Sequence, residues 1–165
     1  MDMTTEQEFV SLISQHQKII YKVCHLYFKD KNDRDDLFQE ITLQTWKSYK
    51  HFKGEAKFST WLYKIALNTA ITHFKKVRKQ KESIISDYIP ERAEDSHSKE
   101  DLSIALFKEI DLLSKIEKAI VLLYLDHYSY NDIGEVMGIS ANNVAVKMNR
   151  IKSKLKAQIN KNDLY

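Results

Sequence analysis

The scarcity of glycine and proline constrains this chain more than any other feature of its sequence. Three glycines and one proline occur among 165 residues, whereas tight hairpin turns, glycine-rich phosphate loops and dinucleotide-binding fingerprints all depend on these residues. An all-β fold and the common nucleotide-binding enzymes are therefore disfavoured. The 43% apolar and 30% charged residues are typical of a folded globular chain. We predict an all-α fold.

Cysteine, histidine and the first residues exclude several classes of protein. Cys24 is the only cysteine, which excludes an internal disulfide and a zinc site built on cysteines. The six histidines show no metal-ligand spacing, and no nucleophile stands beside a base in a recognisable motif. Residues 1–6 lack the basic and then apolar order of a signal peptide, and no apolar run approaches the length of a membrane span. We expect a cytoplasmic protein that is not an enzyme, inserts in no membrane and holds no metal or cofactor.

Apolar residues recur at three- and four-residue steps through the first half of the chain, which predicts amphipathic helices. The first helix is expected to end near Asp30. Asn32 or Asp33 is expected to cap the second helix, and a third starts at Ser59. Together these helices form a predicted first domain over residues 1–80.

The charges are sorted along the chain although the net charge is only +3. Residues 81–101 are rich in acids, contain the only proline, Pro90, and lack apolar periodicity, so we interpret them as an acidic linker. Basic residues are concentrated before this segment, at 75–81, and after Ser140. Such local excesses favour polyanions. A solvated helix face explains any single basic run more simply.

The second predicted domain, residues 102–165, ends in a pattern typical of a helix-turn-helix. Residues 114–117 form a capping box that restarts a helix, and Ser129 is expected to cap a short helix. Gly138 permits the left-handed turn that stops this helix, and Ser140 caps a basic second one. A plain packed helical hairpin is the alternative. The predicted architecture is thus two small helical domains joined by an acidic linker.

Four strings in this order resemble the extracytoplasmic-function sigma factors, the small promoter-recognition subunits of bacterial RNA polymerase. In the first half they are residues 35–40 (DDLFQE), 52–55 (FKGE) and 58–68 (FSTWLYKIALN); in the second half it is 128–140 (YSYNDIGEVMGIS). A helix-turn-helix alone is shared by many regulators. The combination with the first-half strings and the acidic linker is specific to this family.

The resemblance implies that the second helix docks on core RNA polymerase. The residues it assigns to this contact are Asp36, Leu37, Gln39 and Glu40. The alternative is a solvated acidic helix start, because the helix dipole by itself favours acids there.

The resemblance also implies that the segment 52–74 reads the downstream promoter element, the −10 hexamer, as single-stranded DNA. The loop 52–58 would form a pocket for a flipped base, Asn68 would contact the edge of the base, and cations would hold phosphates. Trp61 is either a core anchor or a side chain that holds the strands apart. The residues assigned to this element are Phe52, Lys53, Phe58, Trp61, Lys64, Asn68, Lys75, Lys76 and Arg78.

In the second half the family reads the upstream element, the −35 hexamer, as a duplex in its major groove. The residues that the resemblance assigns to it are Ser140, Asn142, Asn143, Lys147 and Arg150. Asparagine can pair bidentately with adenine, which favours Asn142 and Asn143 as base readers. The sequence departs from the commoner family pattern at Ala145 and Val146, where a basic and a small polar residue are usual.

Two milder departures lie at helix ends. Ser114 stands where the family often has proline, and His127 stands where it often has glycine. We expect the capping box and an alternative turn to substitute for them.

The remaining expectations concern partners. In the family the linker threads toward surfaces of the polymerase that hold nucleic acid, so negative charge there would mimic RNA; a solvated spacer is the alternative. Family members are often held inactive by an anti-sigma factor, although no residue here identifies one. The rival function is a stand-alone helix-turn-helix regulator that binds duplex DNA without polymerase, but it leaves the first-half strings unexplained.

Overall fold

The computed structural model describes residues 3–84 and 101–162, and in these ranges the regular structure is entirely helical. Two units follow each other along the chain. The N-terminal unit consists of α1 (Met3–Gln15), α2 (Gln17–Tyr27), α3 (Lys31–Tyr49) and α4 (Phe58–Ile84). The C-terminal unit consists of α5 (Asp101–Asp111), α6 (Lys115–Leu125), α7 (Tyr130–Met137) and α8 (Ala141–Asn162). The prediction of an all-α fold is confirmed.

The core of the N-terminal unit lies where α2, α3 and α4 meet. Leu62, Ala66 and Ala70 follow one another at single-turn steps on α4, and all three are fully buried. The two alanines are small enough for α4 to approach its neighbours closely, and Leu37 and Ile41 of α3 fill the opposite side of the core. This apolar stripe fixes which face of α4 remains for the solvent.

The single helix predicted to end near Asp30 is two helices, so that prediction is wrong in this respect. The break is at His16, whose Nδ1 donates to the carbonyl oxygen of Leu12 at 2.8 Å and so satisfies the end of α1. The ring of His16 lies 4.9 Å from the ring of Phe58. α1 then packs on α3 through Phe9, whose ring centroid is 4.8 Å from that of Trp46.

The start of α3 also differs from the prediction. Asp30, rather than Asn32 or Asp33, caps this helix, because its backbone is extended and its carboxylate accepts a hydrogen bond from the N–H of Asp33 at 3.2 Å. The third predicted helix is confirmed, but it begins at Phe58 instead of Ser59.

Helix α4 continues past the predicted domain boundary at residue 80. Lys81 lies 2.9 Å from a carboxylate oxygen of Asp33 on α3, and Arg78 pairs with Glu82 one turn later. Residues 81–84 of the predicted linker therefore belong to α4, and Asp101 opens α5. The rest of the predicted linker, 85–100, lies outside the described residues.

The C-terminal unit is held by the predicted capping box and an apolar core. Ser114 Oγ accepts from the N–H of Glu117, and the Glu117 carboxylate accepts from the N–H of Ser114. Lys154 of α8 also donates to Glu117, at 2.5 Å, and ties α8 to α6. Burial would raise the pKa of Glu117, but these hydrogen bonds outweigh it and hold the pKa below its ordinary value. Beneath them lie the fully buried Ile120, Leu123, Ile133, Val144 and Ile151.

The turn between α6 and α7 contains a strained residue. His127 has φ 65°, the left-handed conformation that favours glycine. The turn is thus made with a histidine in the conformation that glycine adopts at no steric cost.

We expect His127→Gly to raise the free energy of unfolding by about 1 kcal/mol, because glycine removes the left-handed penalty. Urea unfolding followed by circular dichroism measures the change. The control, His25→Gly in the last turn of α2, should lower stability by up to about 1 kcal/mol, since His25 has a helical backbone and glycine is costly in a helix. Destabilisation by both variants would contradict this account of the turn.

Candidate nucleic-acid interface

A shallow groove runs between α3 and α4 of the N-terminal unit. Its volume is about 480 Å³, and it is lined by Glu40, Gln44, Asn68, Thr69, Thr72, His73 and Lys76. Glu40 accepts a hydrogen bond from Gln44 at 2.8 Å, which fixes both side chains in the groove wall. The groove thus brings Glu40, which was assigned to polymerase docking, close to Asn68 and Lys76, which were assigned to DNA. Sequence reasoning missed Gln44, Thr72 and His73, because only the packing of α3 on α4 brings them to this place.

The solvent face of α4 carries polar and basic residues at one-turn spacing. Lys64, Asn68, Thr72 and Lys76 are all exposed and follow one another at four-residue steps. Lys75 is exposed beside them. An amide placed between ammonium groups along one line can contact a base edge while the cations hold phosphates on either side. Arg78 is exposed further along α4 and is paired with Glu82.

The loop between α3 and α4 rests on an aromatic cluster. The ring centroid of Trp61 lies 4.8 Å from that of Phe52 and 5.6 Å from that of Phe58. Phe58 is buried beside the other two rings, so its ring offers little surface for direct DNA contact. Phe52 and Trp61 are only half-buried. Trp61 packs against the core and is partly exposed.

A small cavity of about 180 Å³ opens at this loop. The loop itself contributes His51, Phe52, Lys53, Glu55 and Ala56, α4 contributes Trp61, and α7 of the C-terminal unit contributes Glu135. Gly54, with φ 72°, supplies the left-handed turn that closes the loop. Apolar ring walls with an exposed lysine at the rim are the surroundings that an unstacked base requires.

The residues assigned to polymerase docking do not all reach the surface. Asp36 and Gln39 are exposed on α3, and Glu40 is half-buried at the groove. Leu37 is fully buried in the core, so its assignment as a contact residue is wrong. It lies on the α3 face shared with Ile41, and its role is to hold the helix so that its neighbours point outward.

Helices α7 and α8 form the predicted helix-turn-helix. Ser129 Oγ caps α7 by accepting from the N–H of Asp132 at 3.1 Å. Gly138 adopts φ 70°, and three residues, 138–140, separate the two helices. Ser140 Oγ accepts from the N–H of Asn143 at 3.1 Å, so this hydroxyl is engaged in capping α8.

The outer face of α8 carries the residues assigned to duplex DNA. Asn142 and Asn143 are exposed in the first turn, Arg150 is exposed two turns later, and Lys147 between them is half-buried. Val146 is 48% exposed on this helix, so the departure from the family pattern puts an apolar side chain at the surface. Polar side chains at the start of the second helix of such a motif are suited to the major groove.

Both units match known protein families. The Sigma-70 region 2 family matches residues 12–80, and the Sigma-70, region 4 family matches residues 103–155. The RNA polymerase sigma factor SigV of Bacillus subtilis is 26% identical, with 98% of this chain and 96% of that protein covered. The ECF RNA polymerase sigma-E factor of Haemophilus influenzae is 28% identical, with 93% of this chain and 88% of that protein covered.

Two solved structures share the fold over nearly the whole chain. One is the sigma factor RpoE in complex with the anti-sigma factor NepR from Bartonella quintana, with a TM-score of 0.65 and 16% identity over 94% of this chain and 96% of that one. The other is CnrH in complex with the cytosolic domain of CnrY, with a TM-score of 0.67 and 18% identity over 94% and 90% of the two chains.

The helix-turn-helix depends on one close approach, which a substitution can test. A Cβ added at Gly134 in α7 would lie 2.6 Å from the carbonyl oxygen of Ile139. We expect Gly134→Ala to lower the free energy of unfolding by about 1–3 kcal/mol, as overpacking does, measured by urea unfolding. Alanine normally stabilises a helix relative to glycine. A stabilised Gly134→Ala variant would therefore contradict the close approach of α7 to the turn.

Proposed function

The chain belongs to the extracytoplasmic-function sigma factors, the promoter-recognition subunits of bacterial RNA polymerase, and on that premise we propose which of its residues bind polymerase and which read the promoter. A sigma factor binds core RNA polymerase and directs initiation at specific promoters. Sigma factors are non-enzymatic regulators of transcription. The observation that carries the assignment is the presence, in one chain and in order, of both sigma regions.

The stand-alone helix-turn-helix regulator is not favoured. Such a regulator needs only the C-terminal unit, whereas residues 12–80 match a sigma region of their own. We propose a division into residues 1–80 for polymerase docking and the downstream element, 81–101 as linker, and 102–165 for the upstream element.

Membership of this family also suggests the cellular compartment of the protein and a third partner. Within residues 3–84 and 101–162, no helix is long and apolar enough to cross a membrane. We propose that the protein acts in the cytoplasm, where its polymerase is. The two solved relatives are bound to anti-sigma factors or to a cytosolic partner domain, and we propose an anti-sigma factor as a partner of this chain too.

For polymerase docking we propose the exposed acidic and amide side chains of α3. Asp36 and Gln39 are exposed on one side of the helix whose other side is the core, and Glu40 borders the groove. Carboxylates in this position would meet basic groups on the polymerase, and such complementarity sets the rate and specificity of docking. Because Glu40 also shares a groove with Asn68 and Lys76, its substitution is expected to affect DNA as well.

For the downstream element we propose the loop cavity and the solvent face of α4. Phe52 and Trp61 would take an unstacked base between apolar walls, with Lys53 at the rim. Asn68 would contact the edge of a neighbouring base. The phosphates would lie along the cations Lys64, Lys75, Lys76 and Arg78.

For the upstream element we propose that the first turns of α8 enter the major groove. Asn142 and Asn143 would read bases, and Lys147 and Arg150 would hold phosphates. The capping role of Ser140 supports its assignment to the start of the recognition helix: its side chain fixes the N–H groups that face the DNA backbone.

Charge reversal at Asp36 and Glu40 together is expected to weaken binding to core polymerase by at least about tenfold, because breaking a charge pair at an interface costs about 2 kcal/mol or more. Fluorescence anisotropy with labelled full-length chain and core polymerase measures the affinity. The matched control reverses Glu6 and Glu8, which are exposed on α1. Unchanged affinity with an intact circular dichroism spectrum would remove α3 from the interface.

The two units are expected to read different elements. Asn68→Ala should lose selectivity for one base of the downstream element, since an edge contact is worth about 1–3 kcal/mol. Arg150→Ala should weaken all upstream sequences alike and reduce the salt slope by about one. The measurement is transcription by reconstituted holoenzyme from promoters varied one base at a time, at several salt concentrations. An upstream effect of Asn68→Ala would contradict the division of roles.

A further inference from the structure

One apolar side chain interrupts the polar outer face of α8. Val146, the sixth residue of this helix, is 48% exposed. The buried residues Val144, Met148 and Ile151 define the face of α8 that packs on the core. Val146 is two residues, or roughly 200°, from Val144, so it lies on the side of the helix opposite the core. This is the side that the second helix of a helix-turn-helix presents to DNA.

The residues in line with Val146 along the helix are polar and uncharged. Asn142 lies one turn before Val146, Asn149 lies one turn after it, and Ser153 lies two turns after it. All three side chains are exposed. The outermost line of α8 therefore carries hydrogen-bonding groups and one isopropyl group, but no charge.

Cations flank this line on both sides. Around the helix, Lys147 and Arg150 follow on one side and Lys152 and Lys156 on the other, at roughly 50–130° from the line. Nζ of Lys152 lies 5.0 Å from the ring centroid of Tyr124 on α6. In the major groove the base edges lie between two rows of phosphates, so this arrangement directs the cations to phosphates and Val146 to base edges.

The two departures from the commoner family pattern change this face in the same way. Ala145 replaces a residue that is usually basic, and Val146 replaces one that is usually small and polar. Ala145 is half-buried and Val146 is exposed. Neither side chain can hydrogen-bond to a base, so any contribution of Val146 to specificity must come from an apolar contact.

The surroundings of Val146 favour DNA over a protein as its partner. Surfaces that bind proteins gather exposed apolar side chains into a contiguous patch. The exposed residues within one turn of Val146 are instead polar or basic: Asn142, Asn143, Asn149 and Arg150. A single isopropyl group among such residues fits a small apolar target on an otherwise polar surface.

The major groove offers one such target, the C5-methyl group of thymine. The other groups that the four bases present there are hydrogen-bond donors and acceptors. A valine packed against those groups would displace water from them without replacing its hydrogen bonds, which is unfavourable. An exposed valine in the groove therefore favours thymine at one position.

We propose that Val146 is a specificity residue of the recognition helix and contacts the C5-methyl group of one thymine in the upstream element. The inference rests on the proposed function, because that function places α8 in the major groove. Val146 is four residues from Asn142, or about 6 Å along the helix, a distance of about two base-pair steps. The thymine should therefore lie within about two base pairs of the base that Asn142 reads.

The test removes the methyl group from the DNA and the isopropyl group from the protein. The probe is a fluorescein-labelled promoter duplex, obtained by transcription from a pool of genomic fragments. Each thymine of its upstream element is replaced in turn by uracil, which pairs in the same way but lacks the methyl group. Fluorescence anisotropy measures the affinity of holoenzyme reconstituted with the full-length chain.

The chains compared are wild type, Val146→Ala and Val146→Ser. The serine variant introduces a small polar residue, as is usual in the family. Val10→Ala, at a valine that is 56% exposed on α1, is the matched control for the loss of an exposed isopropyl group. Because Val146 lies outside the core, circular dichroism should show the same helix content in all four chains.

Uracil at one position should weaken binding about threefold to fivefold for wild type and Val10→Ala, the effect of losing one buried methyl group. The same replacement should leave the affinity of Val146→Ala and Val146→Ser unchanged, because these chains lack the group that contacts the methyl. The difference between the two pairs of chains assigns the contact to Val146 rather than to a neighbouring residue.

An equal loss on uracil in wild type and Val146→Ala would overturn the proposal, and so would an upstream element in which no uracil weakens binding. Ordinary base substitutions separate these outcomes from failure of the proposed function. If such substitutions weaken binding and Asn142→Ala relaxes one position, α8 reads the element and only the role of Val146 is wrong. If no base change in the upstream element affects binding, the assignment of α8 to the duplex is wrong as well.

Discussion

The burial of one face of α4 is the constraint on which the rest of the structure depends. Leu62, Ala66 and Ala70 turn that face into the core of the N-terminal unit. Because the helix is rigid, the opposite face must then present Lys64 and Asn68 to the solvent. The packing of the core therefore also determines where the proposed DNA-reading residues lie. A change in core packing would rotate the face of α4 that carries Lys64 and Asn68.

Helix α4 also carries a contact to the C-terminal unit. Tyr63 lies next to Lys64 in sequence, yet its side chain turns to the C-terminal unit and donates to Asp126. Helix α7 also contacts α4 directly, and its Glu135 lines the loop cavity.

Features of the fold and site that depend on neighbouring residues could be predicted from the sequence. Features that depend on contacts between distant residues could not. The capping box at Ser114 and the left-handed Gly138 depend on a few neighbouring residues, and both were predicted. The break at His16 is accompanied by a ring contact with Phe58, and the hydrogen bond of Tyr63 to Asp126 joins residues 63 positions apart, so neither leaves a local pattern. Leu37 was assigned to the surface because it stands in a family string, although helix periodicity places it with Ile41 in the core.

As proposed, one chain brings polymerase to a promoter through two separate DNA-reading units. The most direct measurement is in-vitro transcription with core polymerase, with and without the full-length chain, on a pool of genomic promoter fragments, followed by sequencing of the transcript starts. We expect starts that appear only when the chain is present and that share two upstream sequence elements at a nearly constant spacing. Binding of the chain to duplex sites without any new transcript start would contradict this expectation.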